Sequence, residues 1–391
     1  MVNKSFPERS RVFATAVVFG LVMCFFWWYA GEAWGSRGDT RHYLDLYNGE
    51  VARTPFGFRI LTPWLAHLFP GSYESGFRIV TFTSLALIAG IMVLLVNAQN
   101  ISRFKVLTVA VLWTTTFAFV YNTTTQVRAD SVMLLLMAAA YWASVNRVSY
   151  VVLCIIMVAG VLAHEIILIF IPALWLDKVF KANGTGGNLY PAWQLAAVTV
   201  VAVVAYVVSR KVIPVLPATE VNYWSDPLKI VSHALQYSGG VVKHLLRIYA
   251  AYGPVLVYAF FFVATQPGPK ILASLGLFLL AVGATFLATD TLRVMTVMFV
   301  PLLVLATDYI GRIHQTQSRF LAWSLILLQV LYTYVVFGHL RTFEHSDMLN
   351  IVAGILSIAA FIMCVYLAYK TNLSARLMKS RSSQTTHFHR H

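Results

Sequence analysis

Long apolar runs separated by short charged loops make up most of this chain. Runs near 12–32, 77–97, 105–121, 131–146, 190–209, 247–266, 271–289, 292–311, 319–338 and 350–369 each approach the roughly 20 residues that an α-helix needs to cross a bilayer. Two stretches depart from the pattern. Residues 57–69 are apolar but too short to span, and Pro63 and Pro70 punctuate them, which fits a re-entrant or surface piece. Residues 150–176 are apolar except for His164-Glu165 at their middle. One tilted span would bury that pair at a cost of several kcal/mol. Two short helices turning near His164 would instead bring it to the far surface, and would leave Lys178 and Lys181 on the cytoplasmic side. Both readings stay open at this point.

Two polar stretches carry amphipathic patterns. In the loop 33–56, Tyr43, Leu44, Tyr47 and Val51 recur at helical spacing and predict an interfacial helix near 39–52. In 210–246, Leu228, Val231 and Leu235 predict a second. Lys4, Arg9 and Arg11 precede the first apolar run, which is too long and too aromatic for a cleaved signal and reads as a retained anchor. The expected architecture is an all-α, polytopic transmembrane bundle of about 11–13 membrane segments with an interfacial helix after the first span. One membrane domain covers 1–369, followed by a basic cytoplasmic tail over 370–391.

Composition agrees with the pattern: 59% of residues are hydrophobic and 11% charged, against about 25% charged in soluble chains. Strands of an outer-membrane barrel alternate and are about 10 residues long, so a barrel is excluded. The net charge of +14 sits mostly beside apolar spans, where it serves topology and lipid headgroups and does not call for nucleic acid. In this topology about 16 of 29 Lys and Arg lie on the cytoplasmic side, but only about 3 of 15 acids do. The acids crowd the opposite face, which places the chemistry outside the cytoplasm. Cys24, Cys154 and Cys364 lie singly inside apolar runs, so neither a disulfide framework nor a zinc site is indicated. No HExxH, P-loop or GxSxG pattern occurs, and no cofactor or metal is expected.

The charged, aromatic stretch Gly38-Asp39-Thr40-Arg41-His42-Tyr43, with Phe58-Arg59-Ile60-Leu61-Thr62-Pro63-Trp64 beyond it, directly follows the first span. Further ionisable groups fall at outward helix ends: Arg128 and Asp130, His164 and Glu165, Asp290 and Arg293, and Arg341, Glu344 and His345. Ionisable residues at membrane depth point to function. On these residues and the hydropathy layout, the chain resembles the GT-C superfamily of membrane glycosyltransferases. Those enzymes carry a functional acid in the first outward loop. The paired Asp-Glu of the protein O-mannosyltransferase and aminoarabinose-transferase branches is missing here, as is the WWDxG signature of oligosaccharyltransferases. The nearest likeness is the smaller, polyprenyl-phosphate-mannose-dependent branch.

The resemblance implies transfer of a sugar from a polyprenyl-phosphate donor to a glycan, glycolipid or protein acceptor, at the outer or lumenal face of the inner (plasma) membrane. Asp39 would be the general base, with capping of the interfacial helix as its plainer alternative. His42, Tyr43, Arg59, Arg128, Asp130, His164, Glu165 and Arg293 would line the substrate site. For His42 and Tyr43 the competing reading is packing, for Arg59 snorkelling to headgroups, and for Arg128 and Asp130 pairing with each other. A transporter or flippase of a lipid or amphiphile, and an O-antigen polymerase- or ligase-type enzyme, are the other classes considered.

Overall fold

The computed structural model describes residues 6–30, 37–96, 102–175, 190–216, 227–265, 268–286, 291–337 and 351–370. These are helical apart from turns and one isolated bridge between Arg53 and Leu216. The helices are α1 (Phe6–Ala30), α2 (Arg37–Tyr47), α3 (Leu61–His67), α4 (Tyr73–Val96), α5 (Arg103–Thr114), α6 (Phe117–Thr124), α7 (Asp130–Asn146) and α8 (Tyr150–Ala163). There follow α9 (Glu165–Trp175), α10 (Ala192–Val212), α11 (Pro227–Ser238), α12 (Val241–Ala250), α13 (Pro254–Ala264) and α14 (Gly268–Thr285). The last are α15 (Thr291–Met295), α16 (Phe299–Thr316), α17 (Arg319–Phe337) and α18 (Ile351–Lys370).

Among the described residues, six helical runs are long and apolar enough to cross a membrane: those around α1, α4, α10, α17 and α18, and the joined run Arg293–Thr316. Counting each of two bent pairs as one span gives 8. The chain is an integral, multi-pass membrane protein. Two runs that looked continuous in sequence are bent, and the number lies below the expected segments because helices such as α7 (17 residues), α8 (14 residues) and α9 are too short to count as full spans. The central helices are α4, which packs on α1, α3, α5 and α7, and α16, which packs on α5, α13 and α17. Their spans are about three-quarters buried (72% and 78%), whereas those of α1 and α10 are mostly exposed (22% buried each), as lipid-facing helices should be.

Each break has a local cause. The expected span 105–121 divides at Thr114-Thr115-Thr116 and bends by 52°. Thr116 caps α6 by accepting from the Phe119 amide at 3.3 Å, and the Thr115 hydroxyl donates back to the Val111 carbonyl at 2.9 Å. Threonine side chains compete here with the helical ladder. In hydrocarbon the freed carbonyls need other donors. Trp27 Nε1 donates to the Thr114 carbonyl at 3.0 Å, and Gln329 Nε2 and the Thr333 hydroxyl donate to that of Thr115 at 3.0 and 2.6 Å. The expected span 247–266 instead turns by 87° between α12 and α13. Gly253 occupies the turn at φ +55°, and a Cβ there would lie 2.2 Å from the Tyr332 ring. The Val255 amide at this second break donates to Gln329 Oε1 at 3.2 Å. One buried glutamine thus serves both breaks.

The stretch 150–176 is two helices that reverse at His164. Tyr150 and Trp193 pack ring to ring at 5.2 Å, so α8 and α10 start together and run in parallel. Glu165 lies beside Arg210 at the far end of α10, while Trp175 Nε1 donates to Thr199 Oγ1 at 3.1 Å, near the middle of α10. The chain therefore rises along α8 and returns along α9. Tyr190 has come back to the starting end, where its hydroxyl donates to the Ala143 and Val148 carbonyls. Helix α2 is shorter than its expected 39–52: Gly49, at φ +77°, ends it, and Val51 lies beyond it. Helix α11 falls where the second amphipathic pattern predicts one.

Replacing Gln329 by Leu leaves the Val255 amide only its 3.3 Å bond to the Tyr252 carbonyl and takes one donor from the Thr115 carbonyl. The expected outcome is a loss of about 1–3 kcal/mol of stability, read as a lower denaturation midpoint of the purified protein in detergent.

Candidate functional site: a buried arginine–carboxylate network

Two short devices bring the first polar loop to the end of α10. The Thr54 amide donates to the Leu216 carbonyl at 3.0 Å, and the Leu216 amide donates to that of Ala52 at 3.1 Å. The 3-10 turn Phe56–Phe58 then points the chain inward, so that Arg59 enters the bundle only 7% exposed. Gly57 is held in this corner: a Cβ would fall 2.5 Å from Val215 and 2.9 Å from the Ala52 carbonyl.

Arg59 meets the α8–α9 reversal. Its Nε and Nη2 donate to the two carboxylate oxygens of Glu165 at 3.1 and 2.7 Å, a bidentate fork. Its Nη1 donates to the Tyr43 hydroxyl at 3.2 Å, and its guanidinium lies 5.1 Å from the Phe56 ring. A second fork forms nearby. Arg293 Nε and Nη2 donate to Asp130, the first residue of α7, at 2.8 and 3.0 Å. His164 joins the two forks: Nε2 is 3.8 Å from Asp130 and Nδ1 is 3.6 Å from Glu165. The Ile166 amide donates to Nδ1 at 3.2 Å. Nδ1 therefore carries no proton, and the Nε2–H of the neutral ring faces Asp130.

Burial pushes the His164 imidazole down, and the Arg59 charge adds to this, to about 4; the ring is neutral at pH 7. Burial alone would raise the Glu165 carboxyl, but the Arg59 fork prevails and holds it below the usual carboxylate range. Glu165 stays ionised and is a poor base. Burial also raises the Tyr43 phenol, so its O–H stays protonated. The phenol oxygen accepts from Arg59, which leaves the O–H proton available as a donor.

The network gathers Tyr43, Arg59, Asp130, His164, Glu165 and Arg293, six side chains from five separate places in the chain. Arg128 is buried beside it, 5.0 Å from the Tyr121 ring and close enough to act on the Asp130 charge. The fork on Asp130 comes from Arg293, where sequence had suggested Arg128. His42 stands one layer out, stacked on Phe56 at 4.8 Å and 3.7 Å from Asp45. The backbone of Asp39 lies in α2, one turn before Tyr43; its side chain is outside the described residues. Asp290, Arg341, Glu344 and His345 are outside them as well. The fork on Glu165 means that Arg59 does not snorkel to the surface.

Arg210, in the last turn of α10, was not among the sequence candidates. Its guanidinium lies over the Phe58 ring at 3.8 Å and near Tyr206 at 4.7 Å, with Nη2 3.8 Å from Glu165. Its Nη1 is buried and has no hydrogen-bond partner among the described residues. The available signal was a basic pair, Arg210-Lys211, in the last turn of a span whose end the sequence topology places outward, against the positive-inside preference. Among the described residues, four arginines (Arg59, Arg128, Arg210 and Arg293) thus surround two carboxylates, an arrangement suited to an anion. No group of three His, Cys, Asp or Glu side chains among them is placed to hold a metal. No family model, curated protein or solved structure matches the chain.

Two outcomes test this geometry. Replacing Glu165 by Ala leaves Arg59 buried without its counter-charge and should cost about 3–5 kcal/mol in unfolding. The second concerns pH. His164 has a lower pKa folded than its ordinary 6.5, so between about 4 and 6.5 the unfolded chain binds more protons. Stability should fall as pH drops through that window, before the Glu165 fork titrates. A His164→Gln variant should lose this slope in pH-dependent denaturation.

Proposed function

We propose that this protein is a GT-C-like glycosyltransferase that takes a sugar from a polyprenyl-phosphate donor at the network end of the bundle. The observation that carries the reading is Arg210: a guanidinium whose buried Nη1 has no hydrogen-bond partner among the described residues, held beside the two forks with its Nη2 3.8 Å from Glu165. A charge left so in low dielectric is costly unless an anion completes it. A lipid phosphate is an anion that reaches such a site from the membrane.

In this reaction the acceptor hydroxyl attacks the anomeric carbon while the bond from that carbon to the phosphate oxygen breaks. The phosphate leaves with the electron pair and the arginines stabilise its charge. Arg210 supplies the most available donors, aided by Arg128 and the Tyr43 O–H. The Arg59–Glu165 and Arg293–Asp130 forks position the site and take no proton. On the resemblance to GT-C enzymes, Asp39 is the base that receives the acceptor proton. The acceptor is a glycan, glycolipid or protein, and the reaction side is the exterior of the plasma membrane.

The bent pairs α5–α6 and α12–α13 favour a second reading, because discontinuous helices line substrate paths in transporters. A carrier for an anionic amphiphile would use the same arginines without breaking a bond.

Reconstituted protein supplied with polyprenyl-phosphate sugars separates the two. Turnover is expected in wild type, with a drop of about 10²–10³-fold in Arg210→Gln and about 10²–10⁴-fold in Asp39→Asn, each with the fold intact. Donor that binds in an Arg210-dependent way but is never consumed would favour the carrier. Donor that neither binds nor reacts would overturn both.

A further inference from the structure

Helix α12 leaves an apolar face uncovered. Val241, Val242, Leu245 and Leu246 are 50–72% exposed. At 100° per residue these four form one stripe. His244 and Ile248 form the inward stripe: His244 is buried, with Nε2 2.9 Å from the Thr285 hydroxyl and its ring stacked on Phe286 at 4.5 Å. Lys243 and Arg247 form a third, basic stripe, with Lys243 exposed. The axis of α12 stands at 87° to α13, and α12 packs on α15, which carries Arg293.

We infer that α12 is a membrane-surface helix, lying in the plane of the bilayer leaflet on the network side. If α13 runs along the membrane normal, a helix at 87° to it lies parallel to the surface. The four aliphatic side chains then enter the acyl region and the basic stripe meets the phosphates of anionic phospholipid. Three features fit this occupant and disfavour water or a protein partner. The bare stripe is purely aliphatic. The charge beside it is positive, as anionic headgroups require. The inward stripe is already bonded to the bundle, which fixes the roll of the helix. The leaflet surface is thereby anchored next to the element that supplies Arg293. This holds for a transferase or a carrier alike.

The test places an environment-sensitive fluorophore at single cysteines in the full chain, reconstituted in vesicles of phosphatidylglycerol and phosphatidylcholine. Labels at Val242→Cys and Leu246→Cys should be quenched by chain-attached nitroxides at a depth of about 5–10 Å, and shielded from aqueous iodide. A label at Lys243→Cys should respond to headgroup nitroxides and iodide. Free access of iodide to positions 242 and 246 would overturn the proposal. So would quenching of all three labels at mid-bilayer depth, the result expected of a re-entrant hairpin. As a second readout that needs no label, Lys243→Gln should reduce retention of phosphatidylglycerol over phosphatidylcholine in native mass spectrometry about fivefold. Unchanged retention would remove the headgroup contact from the proposal.

Discussion

The Arg59–Glu165 fork is the interaction on which the network end depends. An arginine and a glutamate inside an apolar bundle are each costly alone and tolerable only as a well-made pair. The need to make this pair brings the segment before α3 against the reversal between α8 and α9. The bridge from Thr54 to Leu216 then adds the end of α10, and with it Arg210. The Asp130–Arg293 fork repeats the arrangement one layer away and ties the start of α7 to α15. His164 stands between the two and stays neutral, so that it adds no further cation to the four arginines.

The same low-dielectric constraint governs the backbone. Two long helices are interrupted, and each interruption frees amides or carbonyls that water cannot reach. Trp27, Thr333 and Gln329 supply the missing partners, and Gln329 does so for both breaks at once. Bends of this kind produce the short helices α6, α12 and α13. They also turn α12 out of the bundle axis, which leaves its aliphatic stripe uncovered.

Much of the candidate site was legible in the chain because charge inside an apolar run has few plain explanations. His164 and Glu165 stood out for that reason, as did Arg59, while Asp130 stood out at a span end, and all four lie in one network. Arg210 was harder to see. It sits at a span end, where a basic residue ordinarily signals topology, and only its neighbours Phe58 and Glu165 distinguish it. Nearness in sequence had offered Arg128 as one reading for the partner of Asp130. The actual partner, Arg293, is 163 positions away, a distance that no local pattern reports.

Apolar periodicity and the scarcity of charge were enough to establish an α-helical membrane bundle, because no other regular structure with runs of this length satisfies its backbone in lipid. Local chemistry offered a turn at His164 as one of two readings of 150–176, and the fold decided for it. Which charges meet, which helices bend and which face of α12 stays bare were decided by the tertiary structure. Those features depend on contacts between residues far apart in the chain, and each contact is made because a buried charge or backbone dipole must find a partner somewhere in the folded bundle.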